Sequence, residues 1–252
     1  MPREGPVWHN PRRLNALAAL LTGVAVLTFL VTGVQWLLRS ALFPLREITV
    51  HGALEHTARA QLERASEGRI TGNFFAVDLG AVRAALEALP WVRQVQVRRV
   101  WPDRLEVTIE EHLALARWGD DALVNTHGER FAASLDAALP QFAGPAGTEG
   151  EVTRRYRHYA ELLAPLGSPL EQVILTPRFA WQLRLASGLT IVLGREIAAH
   201  PVDTRLARFV AVYAQTLGSI AQRHDYVDLR YPNGFALRLP ALGGETVSPG
   251  KS

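Results

Sequence analysis

The sequence predicts an α+β fold carried behind a single N-terminal transmembrane helix, and three observations predict it. Residues Leu14–Leu38 form the only long stretch without a charged side chain. Beyond it, apolar residues recur at helical spacing in some segments and alternate with polar ones in others. The first segments run strand, helix, helix, strand, strand, and the later ones are mostly short strands interrupted by two helices.

At 1.5 Å rise per residue, the 25 residues from Leu14 to Leu38 span roughly 37 Å as helix, enough to cross a hydrocarbon core of about 30 Å with some tilt. Asn15, Gln35 and three threonines are its clearly polar members. Trp8, Trp36 and Phe43 lie near its ends, where aromatic rings favour the membrane interface. A cleaved signal would carry a shorter apolar region followed by small residues, and Arg39-Ser40-Ala41-Leu42-Phe43 supplies no such site. An uncleaved anchor is therefore expected.

Charge placement adds an orientation. The formal charge of +3 resides in the first 39 residues, leaving 23 basic and 23 acidic residues in a neutral remainder. No basic face on the folded part follows from the pI, so nucleic acid is not an expected partner. Three arginines (Arg3, Arg12, Arg13) precede the apolar run and Arg39 and Arg46 follow it. With long downstream domains translocating largely regardless of charge, the N-terminus is placed in the cytoplasm and the body outside. The absence of cysteine excludes disulfides and thiolate chemistry.

Residues 1–13, with Pro2, Gly5, Pro6 and Pro11, read as a short cytoplasmic tail. Ile48 and Val50 alternate with polar neighbours as a strand that Gly52 ends. Thr57 is the expected N-cap of a helix that turns Leu62 and Ala65 inward. After the Gly72-Asn73-Phe74-Phe75 loop, Val82, Ala85, Leu86 and Leu89 share a helix face, and Pro90 stops that helix. Val95 and Val97 begin a strand, Trp101-Pro102-Asp103-Arg104 turns the chain, and Leu105, Val107 and Ile109 alternate on the return.

Past Glu111 the pattern changes. Leu115–Trp118, Leu123-Val124 and Phe131 are short apolar pieces between polar turns. Tyr156, Tyr159, Leu163 and Leu166 mark one helix, closed by Gly167 and Pro169. Trp181–Leu185 and Leu189–Leu193 alternate around Ser187-Gly188 as a hairpin. Leu206, Phe209, Val210, Tyr213, Leu217 and Ile220 mark a second helix. Tyr226–Tyr231 and Phe235–Leu239 flank Pro232-Asn233-Gly234, another hairpin signal. Residues 241–252 are rich in Gly, Ser and Pro and read as a disordered C-terminal tail.

No residue pattern in the chain points to an enzyme. The eight histidines form no His-Glu-x-x-His pair, and His127 beside Asp120 and Asp121 reads as a polar turn rather than a metal site. Lys251 is the only lysine, and no serine stands in Gly-x-Ser-x-Gly. Glu110 and Glu111 are strand neighbours and point to opposite faces, so they do not form a catalytic pair. No phosphate-binding glycine loop is present, and no cofactor is expected. Ala19 and Gly23 form a small-xxx-small pair, for which simple anchoring is the stronger reading. Binding has a better case. Phe235-Ala236-Leu237-Arg238-Leu239 is the last strand, followed by Pro240 and the tail. It is either a sheet edge with backbone groups free to accept a partner strand or a strand closed over by another; the residues alone leave both open.

A set of fragments decides between them. Phe43-Pro44-Leu45-Arg46-Glu47-Ile48, Leu89-Pro90-Trp91-Val92 and Trp101-Pro102-Asp103 come first, and then Gly144-Pro145, Arg178-Phe179-Ala180-Trp181 and Leu193-Gly194-Arg195. Arg205-Leu206-Ala207-Arg208-Phe209 and Val227-Asp228-Leu229-Arg230-Tyr231 complete the series. In this order and spacing the chain resembles the FtsQ/DivIB bacterial cell-division proteins, in the FtsQ form rather than the longer-tailed DivIB form. The resemblance implies a POTRA domain (β-α-α-β-β) over 43–112 and a sheet-rich β domain with helices packed on it over 113–240. It implies a non-catalytic divisome scaffold in the inner membrane, body in the periplasm, at the septum. FtsB, held with FtsL, would pair with the C-terminal strand region and so influence septal peptidoglycan synthesis, with FtsK, FtsW, FtsI and FtsN as further implied partners. Carried over by position, Arg178, Arg230, Tyr231, Gly234, Phe235, Ala236, Leu237 and Arg238 would form the FtsB contact. The arginines would face acidic groups and Tyr231 would be an anchor. The alternative is a membrane-anchored POTRA protein that docks or chaperones exported polypeptides.

Overall fold

The computed structural model describes residues 11–40, 43–213, 225–231 and 234–238. Residues 1–10, the expected Leu217 and Ile220 of the last helix, Pro232, Asn233, Leu239, Pro240 and the tail lie outside the described residues. The chain divides into two compact units, Met1–Glu111 and His112–Ser252.

Helix α1 runs Pro11–Arg39 and contains the apolar run Leu14–Leu38, none of which is buried by the protein. It starts with Pro11, whose missing N–H costs a first helical turn nothing. Thr22 and Thr28 turn their hydroxyls back onto the carbonyls of Ala18 and Val24 at 2.8 Å, which removes two unpaired donors from a lipid-facing surface. The helix is uniformly apolar around its circumference, as a span surrounded by lipid requires.

The rest of the first unit is β1 (Glu47–His51), α2 (Arg59–Ser66), α3 (Leu79–Glu87), β2 (Val92–Val100) and β3 (Arg104–Glu111). The sheet order is β1-β3-β2, with β1 parallel and β2 antiparallel to β3. Leu62, Val82, Leu86, Val95, Leu105, Val107 and Ile109 close the core between sheet and helices. Helix α3 is capped by Asp78, whose carboxylate accepts from the amides of Gly80 and Ala81. Helix α2 starts later than Thr57 suggests. The Glu111 carboxylate accepts the amides of Glu55, His56 and Thr57 at 2.7–3.1 Å, so the helix begins at Arg59 after Ala58. Burial pushes the Glu111 carboxyl up, but these hydrogen bonds prevail and hold it below the usual carboxylate range.

The second unit is built on β4 (Ala114–Trp118), β5 (Ala122–Asn125), β6 (Arg130–Phe131), β7 (Gln141–Ala143), α4 (Glu149–Leu163), β8 (Leu170–Leu175), β9 (Ala180–Leu185), β10 (Thr190–Arg195), α5 (Val202–Val212), β11 (Tyr226–Asp228) and β12 (Ala236–Arg238). Its nine strands form one mixed sheet in the order β12-β11-β10-β9-β8-β7-β4-β5-β6. Strands β7 and β8 are not marked in the sequence. β7 has three residues, and Leu170–Leu175 follows a helix end too closely for its alternation to stand out. Helix α4 packs on β8, α5 on β10, and the helices on each other. Phe142, Tyr159, Leu183, Leu185, Ile191, Leu193, Leu206 and Phe209 are fully buried between them. From α4, Arg155 bonds Asp203 of α5 at 3.2 Å and Glu196, just past β10, at 3.3 Å.

Candidate functional site

The last strands of the second unit hold the residues of interest. β10 and β11 are parallel, with Ile191 opposite Val227 and Val192 opposite Asp228. Parallel neighbours need a crossover, and α5 supplies it. β12 returns antiparallel on β11, pairing Tyr226 with Arg238, Val227 with Leu237 and Asp228 with Ala236. Among the described residues β12 pairs with no other strand and ends the sheet order. An end strand leaves a row of backbone donors and acceptors unpaired on its outer side.

Side chains along this edge divide by face. Phe235, just before β12, sets its ring edge-on to Phe209 at 5.5 Å, and Leu237 is half-buried against the core. Gly234, Ala236 and Arg238 are exposed, and the Arg238 guanidinium lies 5.0 Å from the centre of the Tyr226 ring. The edge therefore presents backbone and short or cationic side chains, while its aromatic and aliphatic members hold it to the sheet.

A second group gathers where β9 begins and β10 and β11 end. Arg178 and Phe179 occupy the turn before β9, which the Thr176 carbonyl closes by accepting the Phe179 amide at 2.8 Å. Phe179 adopts φ 56° and is 59% exposed. A non-glycine residue in the left-handed region costs about 1–2 kcal/mol, so the surroundings enforce this turn. Tyr231 is 55% and Ile197 50% exposed. Arg178, Ala180, Gly194, Arg195, Ile197, Arg205 and Arg230 line a recess of about 410 Å³, with four arginines and no carboxylate among them.

Two arginines of this recess are held in different ways. Arg230 wraps back on Asp228, with Nε 2.9 Å and 3.0 Å from its two carboxylate oxygens. Asp228 also accepts the Arg230 amide at 3.0 Å. The Arg230 contact is the main reason the Asp228 carboxyl lies below its ordinary range, and the same pairing raises the Arg230 guanidinium. Gly194, at φ 75°, lets the Arg230 stem pass, since a Cβ there would meet Arg230 Cγ at 2.8 Å. Arg205, on α5, is buried, and among the described residues it has no acidic hydrogen-bond partner. It donates to the carbonyls of Leu193 at 2.6 Å, Leu229 at 2.9 Å and Arg195 at 3.0 Å. It thus ties α5 to the ends of β10 and β11.

Of the residues expected from sequence, Arg178, Arg230 and Tyr231 fall at one end of the sheet, with Gly234 on the segment that re-enters it. Leu237 and Arg238 lie along the adjoining edge. Phe179, Ile197, Arg195 and Arg205 are not singled out by sequence reasoning. The Arg-Phe-Ala-Trp fragment contains Phe179, but its exposure follows from a backbone conformation that no local pattern announces. Elsewhere, Glu110 pairs with Arg93 at 2.8 Å while Glu111 binds backbone amides, so these carboxylates serve separate structural contacts.

One helix long and apolar enough to span a membrane, a compact β-α-α-β-β unit and a sheet-rich domain define, among the described residues, a single-pass membrane protein. The first unit matches the family described as POTRA domain, FtsQ-type, over residues 43–112, and the second matches Cell division protein FtsQ/DivIB, C-terminal, over residues 116–230. The chain is 43% identical over 239 residues to Cell division protein FtsQ of Burkholderia pseudomallei, covering 94% of this chain and 96% of the relative. It is 41% identical over 237 residues to the protein of that name in Nitrosospira multiformis, covering 92% and 99%. The Neisseria gonorrhoeae relative is 33% identical over 233 residues, covering 92% and 95%. The chain belongs to the FtsQ family of cell division proteins.

Proposed function

We propose that this protein is a non-catalytic divisome scaffold that binds FtsB, held with FtsL, by accepting an FtsB strand along β12. The observation that carries the reading is the terminal position of β12 in the nine-stranded sheet. An incoming strand gains a ladder of backbone hydrogen bonds there, and side chains beside the edge supply selectivity. Tyr231, Phe179 and Ile197 offer exposed apolar anchors. Arg178 and Arg230 offer cationic contacts for acidic groups on FtsB, Arg230 with its guanidinium held by Asp228. Gly234, Ala236 and Arg238 line the incoming strand, whereas Phe235 and Leu237 contribute chiefly backbone because their side chains face inward.

In this reading residues 1–13 lie in the cytoplasm, 14–38 cross the inner membrane, and the POTRA domain (43–112) and β domain (113–240) stand in the periplasm at the septum ahead of the tail (241–252). Confinement to a membrane raises the effective concentration of edge contacts that are weak in solution. By recruiting FtsB and FtsL the protein would help control septal peptidoglycan synthesis, and FtsK, FtsW, FtsI and FtsN are further partners of the assembly.

The test is binding of the full chain in nanodiscs to the periplasmic parts of FtsB–FtsL. Tyr231→Ala should weaken binding at least about tenfold, the effect of losing a buried aromatic anchor worth about 1.4 kcal/mol or more. Unchanged binding by Tyr231→Ala would remove the proposed interface, and no binding by the native chain would remove the function. A membrane-impermeant thiol reagent should label Ser248→Cys from the periplasmic side.

A further inference from the structure

The end of α1 and the POTRA unit are joined by more than a covalent linker. Asn73 is buried, and its Nδ2 donates to the carbonyls of Leu38 at 2.6 Å and Ser40 at 2.8 Å. These carbonyls lie at or just past the helix C-terminus, where backbone acceptors lack helical partners. The Oδ1 of the same side chain accepts the amides of Phe75 at 3.1 Å and Ala76 at 2.9 Å. The Phe74 amide donates to the Phe43 carbonyl at 2.9 Å, and the Phe43 and Phe75 rings meet edge to face at 5.1 Å. Arg99 braces the loop from β2, its Nε donating to the Phe74 carbonyl at 2.7 Å.

This clasp fixes a depth. Leu38 ends the apolar run that crosses the bilayer, so a loop bonded to the carbonyls of Leu38 and Ser40 sits at the level of the lipid headgroups. The turn between β2 and β3 belongs to the same end of the unit, because the Arg46 amide, just past the linker, donates to the Asp103 carbonyl at 2.9 Å. That turn carries Trp101, 73% exposed, and the loop carries Phe75, 39% exposed. Trp36 on α1 is 70% exposed near the same level. Exposed Arg46, Arg98 and Arg104 surround the turn, each also paired with a carboxylate. Aromatic rings flanked by arginines at headgroup depth match the chemistry of the bilayer interface.

We infer that Phe75 and Trp101 form a membrane-resting face of the POTRA unit, its occupant the lipid interface of the bilayer that α1 crosses. The anchor then meets its domain through three contacts with the membrane, α1, Phe75 and Trp101, which restrict the tilt of the unit as well as its distance. β1 runs from Glu47 at this end to His51 at the other, about 13 Å along the strand direction, and Ala53 follows just past that far end.

The native chain has no cysteine, so single spin labels can be placed in the full-length protein in phosphatidylethanolamine–phosphatidylglycerol vesicles. Accessibility to oxygen relative to a water-soluble nickel complex reads depth. The inference rests on α1 spanning the membrane, and Val26→Cys tests that separately by reporting the bilayer centre. Phe75→Cys and Trp101→Cys should give ratios close to Trp36→Cys and several-fold above Ala53→Cys. With every aromatic but one retained, brominated lipid should quench a fluorescence component that Trp101→Phe removes. Ratios at 75 and 101 equal to that at 53, with Val26 buried in lipid, overturn the membrane-resting face and leave the anchor intact. An aqueous Val26 overturns both.

Discussion

Replacing Arg205 tests how the end of the second unit that carries Arg230 and Tyr231 is held together. The side chain makes three hydrogen bonds to backbone carbonyls, two of them from a buried nitrogen at 2.6 and 2.9 Å. Hydrogen bonds to a charged group contribute about 1.5–3 kcal/mol each, so the gross loss in Arg205→Leu is roughly 5–9 kcal/mol. Removing the side chain also relieves cost. The Arg205 Nε is buried with no partner among the described residues, and a buried cation that meets no carboxylate carries a desolvation penalty of several kcal/mol. The balance is a net destabilisation of about 2–4 kcal/mol, or a fall in the Tm of the second unit of about 6–16 °C. Arg205→Lys, with one compact donor group in place of a fork, should recover only part of this. The second readout is local. Leu229 donates its amide to Val192 at 2.8 Å and presents its carbonyl to Arg205, so amide exchange over Leu229–Tyr231 should accelerate in Arg205→Leu more than exchange in β8 and β9. A Tm shift below about 3 °C, or exchange that rises uniformly, would refute the strut.

Two further outcomes follow from the same corner. Asp228 is held below its ordinary pKa by Arg230, so its contribution to stability is fully present above the unfolded carboxylate value of about 3.9 and is lost as pH falls through the folded value; the Tm difference between native and Asp228→Asn should be flat near neutrality and shrink only in acid, as thermal scans from pH 7 to pH 2 would register. Gly194→Ala combines a positive φ with a Cβ 2.8 Å from Arg230 Cγ and should cost about 1–2 kcal/mol in thermal stability; under the proposed function it should also weaken FtsB binding as Arg230 is displaced.

Much of the architecture is legible in local patterns. Leu14–Leu38 reads as a span because length and lack of charge are properties of the segment itself. Leu105, Val107 and Ile109 read as a strand because one face of β3 is buried and the other is not. β7 and β8 escape because a three-residue strand offers too few alternations, and because Leu170–Leu175 mixes buried, half-buried and exposed positions. Thr57 misleads as a cap because Glu111, 54 residues away, takes its amide. At the candidate interface, Tyr231 and the Arg178 fragment stand out in sequence. Phe179, Ile197 and Arg205 do not, since exposure of an apolar ring and burial of a guanidinium are set by neighbours distant along the chain.

The sequence by itself determined that this chain has one apolar span, an α+β body, no cysteine chemistry and the marks of its family, because hydropathy, periodicity and residue order are all carried locally. Only the tertiary structure decided that β12 ends the sheet among the described residues, that four arginines converge on one recess, and that Asn73 clasps the end of α1. Those features depend on strand order and on contacts across 24 to 35 residues, where the fold, and no local propensity, chooses which groups meet.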